Sequence, residues 1–133
     1  MPLSLDGVIL FSDDVREEVG SKFSLMGVLG PEIWVGGSRE LRLMCTFLLW
    51  AVEPRATIKA YFEVEGDPLE QQLPAQMERE VAKTPGDTAE RWLVQMTGPL
   101  RLNVGEKLLV LRAHFEVGDR IFSNQLVIDP KTP

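Results

Sequence analysis

The sequence predicts an all-β fold: an antiparallel, immunoglobulin-like or Greek-key β-sandwich of seven to nine short strands in a single domain, 1–133. Three observations carry that expectation. The dominant apolar period is two residues, the period of a strand with one dry face. No stretch sustains the longer period of an amphipathic helix. Glycine and proline recur between the alternating runs, where they end strands and start turns.

In chain order, the first element is a hairpin of strands 8–16 and 23–29 around Val19-Gly20-Ser21. A two-residue turn would set Phe23 and Leu25 opposite Glu18 and Arg16 and waste the apolar pattern. A three-residue loop, with Gly20 or Ser21 in the left-handed region, pairs Val15 with Leu25 and Phe11 with Leu29 and is preferred. A short extended piece, 33–35, leads through Gly36-Gly37-Ser38 into a strand over 40–52. That strand puts Leu41, Leu43, Cys45, Phe47 and Leu49 on one face. Its other face begins polar at Glu40 and Arg42 and turns apolar at Leu48, Trp50 and Val52. Glu53-Pro54 ends it, because a residue before proline avoids the helical region.

Residues 55–65 alternate most cleanly, with Ala56, Ile58, Ala60, Phe62 and Val64 dry and Thr57, Lys59, Tyr61 and Glu63 wet. An acidic loop with Pro68 and Pro74 follows, then 76–83 as a weak strand or one helical turn. Residues 91–97 read as a strand, after which Gly98-Pro99 turns the chain into a short piece, 100–104. The last element is a hairpin closed by Gly118-Asp119. Its register sets Val117 against Arg120, Phe115 against Phe122, Ala113 against Asn124, Leu111 against Leu126 and Leu109 against Ile128.

With 133 residues, 44 % of them apolar, the chain is long enough for a real core and unlike a disordered tail or a disulfide scaffold. The balance of 14 Lys+Arg against 20 Asp+Glu leaves a net charge of −6, and no segment carries a basic block. Neither a nucleic-acid partner nor a membrane surface is expected, since both need clustered positive charge. The N-terminus has no basic run ahead of a long apolar stretch, so it reads as neither a signal peptide nor a membrane span. The single cysteine forms no internal disulfide, and the cytoplasm is the expected compartment.

Groups that carry chemistry are scarce. Cys45 falls on a dry strand face, where a thiol acts as a small hydrophobe. His114 falls on a polar face beside Arg112 and Glu116, and a structural or surface role is preferred for both residues. No metalloprotease, nucleophile-elbow, phosphate-loop or dinucleotide motif is present, and no cofactor is expected. The cluster to weigh is Asp13-Asp14-Val15-Arg16-Glu17-Glu18. In the preferred register Asp13 lies inward between Phe11 and Val15, opposite Gly27, while Asp14 and Arg16 share the outward face. Three readings compete. Asp13 can be a structural carboxylate tying the hairpin to a neighbour. Asp13, Asp14 and Glu17 can supply oxygens to calcium, or paired carboxylates can do the acid and base work of a hydrolase. The structural reading is preferred, because adjacent strand residues point to opposite faces. Of Trp34, Trp50 and Trp92, the last reads as core, while Trp50 joins Leu48 and Val52 in a patch covered either by the fold or by a partner.

The run VILFSDDVREEVGSKFSLMGVLG resembles the opening of an uncharacterised family of small bacterial and prophage proteins. The matching residues are Asp13 or Asp14, Arg16, Glu17 or Glu18, Gly20, Lys22, Ser24-Leu25 and Gly27. The run NVGEKLLVLRAHFEVGDRIF is similar to that family's closing hairpin, with Gly105 before the penultimate strand and Gly118 in the turn. It is also similar to the ending of immunoglobulin-like sandwiches, although Gly105-Glu106-Lys107 lacks the corner tyrosine found there. The resemblance implies a β-sandwich with no active site to carry over. The expected function is therefore a non-catalytic interaction or assembly module working through a sheet face or edge, with a protein partner or a homodimer. Its alternatives are a calcium- or ligand-binding sandwich using the Asp13–Glu18 carboxylates and, last, a carboxylate-based hydrolase.

Overall fold

Period-two alternation becomes two packed sheets. The computed structural model describes residues 5–19, 22–36, 39–51, 55–66, 77–82 and 91–131, and among these it shows nine strands and no helix. The strands are β1 Leu5–Glu18, β2 Lys22–Val28, β3 Glu32–Trp34, β4 Arg39–Ala51, β5 Arg55–Glu65, β6 Met77–Ala82, β7 Arg91–Val104, β8 Leu109–Val117 and β9 Arg120–Asp129. Sheet A has the order β2-β1-β4-β7 and sheet B the order β3-β9-β8-β5-β6. Every pairing is antiparallel except that of β3 with β9. The chain changes sheet after β2, β3, β4, β6 and β7. Matching β1, β4 and β7 to strands A, B and E, and β9, β8, β5 and β6 to G, F, C and C′, gives the immunoglobulin-like order. Strand β2 is an addition outside A.

Both expected hairpin registers are present. Val15 pairs with Leu25, and the Leu29 amide donates to the Phe11 carbonyl at 2.8 Å. Glu18 pairs with Lys22, leaving three residues for the turn, of which Gly20 and Ser21 lie outside the described residues. In the second hairpin Val117 meets Arg120 and Leu109 meets Ile128, with Gly118 in the turn at φ 60°. Asn124, the polar member of the dry row there, donates from Nδ2 to the Ile9 carbonyl at 2.8 Å and so links β9 to β1 of the other sheet. The segment 76–83, open between a weak strand and a helical turn, contains strand β6, which pairs with β5.

The core fills the space between the sheets with Leu43, Leu49, Leu102, Leu111 and Leu126, all at most 1 % exposed. Phe47 of sheet A stacks on Phe115 of sheet B with ring centroids 4.4 Å apart. Such a stack joins the two layers by dispersion as well as by burial. The Gly98-Pro99 turn is corrected: both residues lie inside one strand, β7, joined by a cis peptide. Cys45 pairs with Thr97 and Leu43 with Leu100, so β7 has one extra residue opposite Met44 and bulges rather than turns. Gly98 sits at φ 144°, and a Cβ there would come within 2.8 Å of Met44 Sδ. A side chain there would be strained by that backbone conformation and would require Met44 to shift.

Candidate functional site

The acidic segment is placed differently from the expectation. Asp13 is exposed, not inward between Phe11 and Val15. Strand β1 pairs with β4 only as far as Ser12, opposite Met44. Beyond that point β1 has β2 as its described neighbour, and Val15 is itself only half-buried. The hairpin end has left the sandwich, so a carboxylate there keeps its water. Gly27 lies beside it at φ 62°, and a Cβ at Gly27 would collide with the Asp13 carboxylate. The resemblance's Asp and Gly thus share one local requirement: the acid occupies the volume that a side chain at Gly27 would need.

Asp14 accepts a hydrogen bond from the Val15 amide at 2.8 Å and lies 3.9 Å from Arg16. That ion pair is well over half exposed on both sides and adds little to stability. Asp13 and Asp14 both line a depression of about 320 Å³ with Arg42, Met44 and Pro99, at the fork where β1 leaves β4. Two acids that alternation would send to opposite faces both line it, where β1 runs on past its last pair with β4. Arg42 in the same depression is a poor neighbour for a bound cation. Among the described residues no group of three or more His, Cys, Asp or Glu is arranged to hold a metal.

The outer face of sheet B adds Tyr61 and Glu63 of β5 to His114 and Ser123, which the C-terminal hairpin register already sets opposite one another. His114 Nδ1 and Ser123 Oγ are 2.7 Å apart, and His114 Nε2 lies 3.6 Å from Glu63 Oε1. Tyr61 stacks on the imidazole at 4.9 Å and donates to Glu116 at 3.3 Å. A shallow depression of about 230 Å³ beside them is lined by Arg112, Ser123, Asn124 and Gln125. Arg112 is held by Glu65 at 2.7 Å. This row crosses β9, β8 and β5 at matched register positions, with Tyr61, His114 and Ser123 directly opposite one another. The hairpin turn announces His114 opposite Ser123, whereas Tyr61 joins the row only through the pairing of β5 with β8, which no turn chemistry announces. The network orients the imidazole and keeps this face hydrated.

Sheet A presents the opposite surface. Its outward row on β1, Val8 and Leu10, pairs with Leu48 and Thr46 of β4, which pair in turn with Val94 and Met96 of β7. On β2, Met26 and Val28 extend the same face and are 41 % and 53 % exposed, and Val8 is 42 % exposed. Thr46 points away from the core yet is only 1 % exposed, and its Oγ1 has no hydrogen-bond partner. The Thr46 hydroxyl is thus shut off from water among the side chains around it on this face. Leu48 of the expected patch therefore lies in a much wider surface. The Trp50–Trp92 pair continues the register, and Val52 lies outside the described residues.

The other expected positions are quickly placed. Trp34 sits on the edge strand β3 and is 50 % exposed. Gly105 is buried between β7 and β8. Cys45 is fully buried, and burial pushes its thiol up to about 12. No helix among the described residues is long and apolar enough to cross a membrane. No family model matches the chain, and no curated protein and no solved structure is found to be similar to it, so the resemblance of its two ends rests on their motifs alone.

Proposed function

We propose that this chain is a protein-interaction module that docks through the outer face of sheet A. The observation that carries the reading is the contrast between the two outer faces. On sheet B, half-buried Arg112, His114 and Glu116 alternate with fully buried neighbours along β8, as a sheet with one wet side requires. On sheet A, the outward positions from Val8 to Leu10 and from Met44 to Leu48 hold no ionisable group. Leaving that layer in water costs free energy in proportion to its area, and covering it with a partner recovers that free energy.

The test is a matched pair of charge insertions, Leu48→Glu on sheet A and Gln125→Glu on sheet B. Each variant is first shown to melt cooperatively, then used as bait beside the wild type in quantitative affinity capture. Proteins held by the wild type and by Gln125→Glu but lost by Leu48→Glu support the reading. Capture unchanged by Leu48→Glu, or lost only with Gln125→Glu, overturns it.

A further inference from the structure

We propose that the outer face of sheet B carries an esterase site, in which Ser123 is the nucleophile, His114 its general base and Glu63 the carboxylate that positions the base. The substrate class is a small, uncharged carboxylic ester. This inference is independent of docking through sheet A, and each can fail without the other. Six side chains form two rows across three neighbouring strands. Tyr61, His114 and Ser123 lie opposite one another, and Glu63, Arg112 and Gln125 make the next outward row. Residues so placed share one face, within reach of their direct and diagonal neighbours.

The contacts of the imidazole set the direction of proton transfer. Ser123 Oγ is 2.7 Å from His114 Nδ1, the reach of a nucleophile and its base. His114 Nε2 is shut off from water, has no hydrogen-bond partner, and faces Glu63 Oε1 at 3.6 Å. A histidine serving only to keep the face wet would turn that nitrogen to water. The carboxylate on that side favours the tautomer with the proton on Nε2. Nδ1 is then the acceptor, and the serine hydroxyl donates to it. The 3.6 Å gap closes by a small movement of the exposed Glu63 side chain, and such contacts tighten when substrate binds. Tyr61 stacks on the imidazole at 4.9 Å and is itself tied to Glu116 at 3.3 Å, which holds the ring on its flank.

Ser123 is exposed and lines the depression of about 230 Å³ with His114 and Arg112. That volume is below what a drug-sized ligand needs, so the acyl group is short. Glu63, Glu65 and Glu116 stand around it and disfavour an anionic substrate. Ser123 Oγ bonds to the ester carbonyl carbon as its proton passes to His114 Nδ1, and the carbonyl oxygen takes the negative charge. Arg112, held by Glu65 at 2.7 Å, is the cation in the same depression and offsets that charge. The bond to the leaving oxygen then breaks, and the alcohol departs with the proton from Nδ1. Water attacks the acyl–Ser123 ester, giving one proton to Nδ1 and leaving its oxygen on the acyl carbon. That proton returns to Ser123 Oγ as the acid is released. The sum is ester plus water giving acid plus alcohol.

Hydrolysis of p-nitrophenyl acetate by the full chain tests the proposal. The expected result is release of nitrophenolate faster than in buffer, with an acetyl group trapped on Ser123 by acid quenching and located by peptide mass spectrometry. Ser123→Ala and His114→Gln each lower the rate by about tenfold or more. Ser123 is exposed, so its replacement spares the fold, and a cooperative melt at the wild-type temperature checks this. Glu63→Gln lowers kcat and leaves KM unchanged, as loss of positioning rather than of substrate contact requires. A kcat indifferent to Glu63→Gln removes the positioning role. A rate no faster than buffer, acetyl groups on lysines alone, or a Ser123→Ala variant as fast as the wild type overturns the site. Loss with His114→Gln but not with Ser123→Ala would make the imidazole itself the nucleophile, and the proposal falls with that result too.

Discussion

Cys45 and Tyr61 are the one cysteine and the one tyrosine of the chain, so each can be followed alone in solution. The Cys45 thiol is buried in the core and raised to about 12, which leaves almost no thiolate to react at pH 8. A disulfide reagent at pH 8 is expected to find no thiol in the folded protein and one equivalent in denaturant. Rapid labelling of the folded chain would contradict this burial. The Tyr61 hydroxyl is raised above its usual value of 10.0 by partial burial, then by the Glu116 carboxylate and the hydrogen bond to it, then by Glu63. An acid whose folded value is raised stabilises the fold fully below its unfolded value, and that contribution is lost as pH rises through the folded value. Absorbance of the phenolate should therefore show a later midpoint in the native protein than in denaturant. Glu116→Gln should move the native midpoint back down, and an unchanged midpoint would remove Glu116 as a cause.

Elements were legible wherever turn chemistry and apolar pattern agreed. Gly118-Asp119 and the row Leu109–Val117 point to one register, and the molecule has it. In the first hairpin the register that sets Phe23 and Leu25 opposite Glu18 and Arg16 wastes the apolar pattern, and the molecule has the other one. The pattern failed at Gly98-Pro99, because a glycine–proline pair reads the same in a turn and in a bulge. What distinguishes them there is that β7 pairs with β4 on both sides of Gly98-Pro99, which no local signal reveals. Asp13 was misplaced for a related reason: alternation predicts direction, but burial needs a second sheet, and β4 stops pairing with β1 one residue earlier. Gly27 gives a test at this scale. Gly27→Ala must adopt a positive φ and displace the Asp13 carboxylate, and is expected to cost about 1–3 kcal/mol in denaturant unfolding. If Asp13 is the obstacle, adding Asp13→Ala recovers part of that loss; no recovery would assign the whole cost to the backbone. Phe47→Ala, which removes the ring joining the two sheets, is expected to cost about 3–5 kcal/mol.

At the scale of the whole molecule the two outer faces differ in what they can bind, and the acidic fork differs from both. A calcium site at Asp13 and Asp14 would raise the melting temperature with added calcium by mass action, and Asp14→Asn would abolish the rise. With Arg42 in the same depression, the expected result is a melting temperature that calcium leaves unchanged. A calcium-dependent rise sensitive to Asp14→Asn would reassign the fork as a cation site. Fold class, most strand positions and both hairpin registers were determined by the sequence itself, because alternation and turn residues act between neighbours. The same logic found Leu48 and Trp50 as an apolar departure on an outward face. Only the tertiary structure decided that Val8, Leu10, Met26, Val28, Val94 and Met96 lie on that same face. It alone brought Tyr61 and Glu63 of β5 to the His114 imidazole. The physical reason is shared: a surface is assembled from strands far apart in sequence, and the order in which they pair is a property of the packed sheets rather than of any local run of residues.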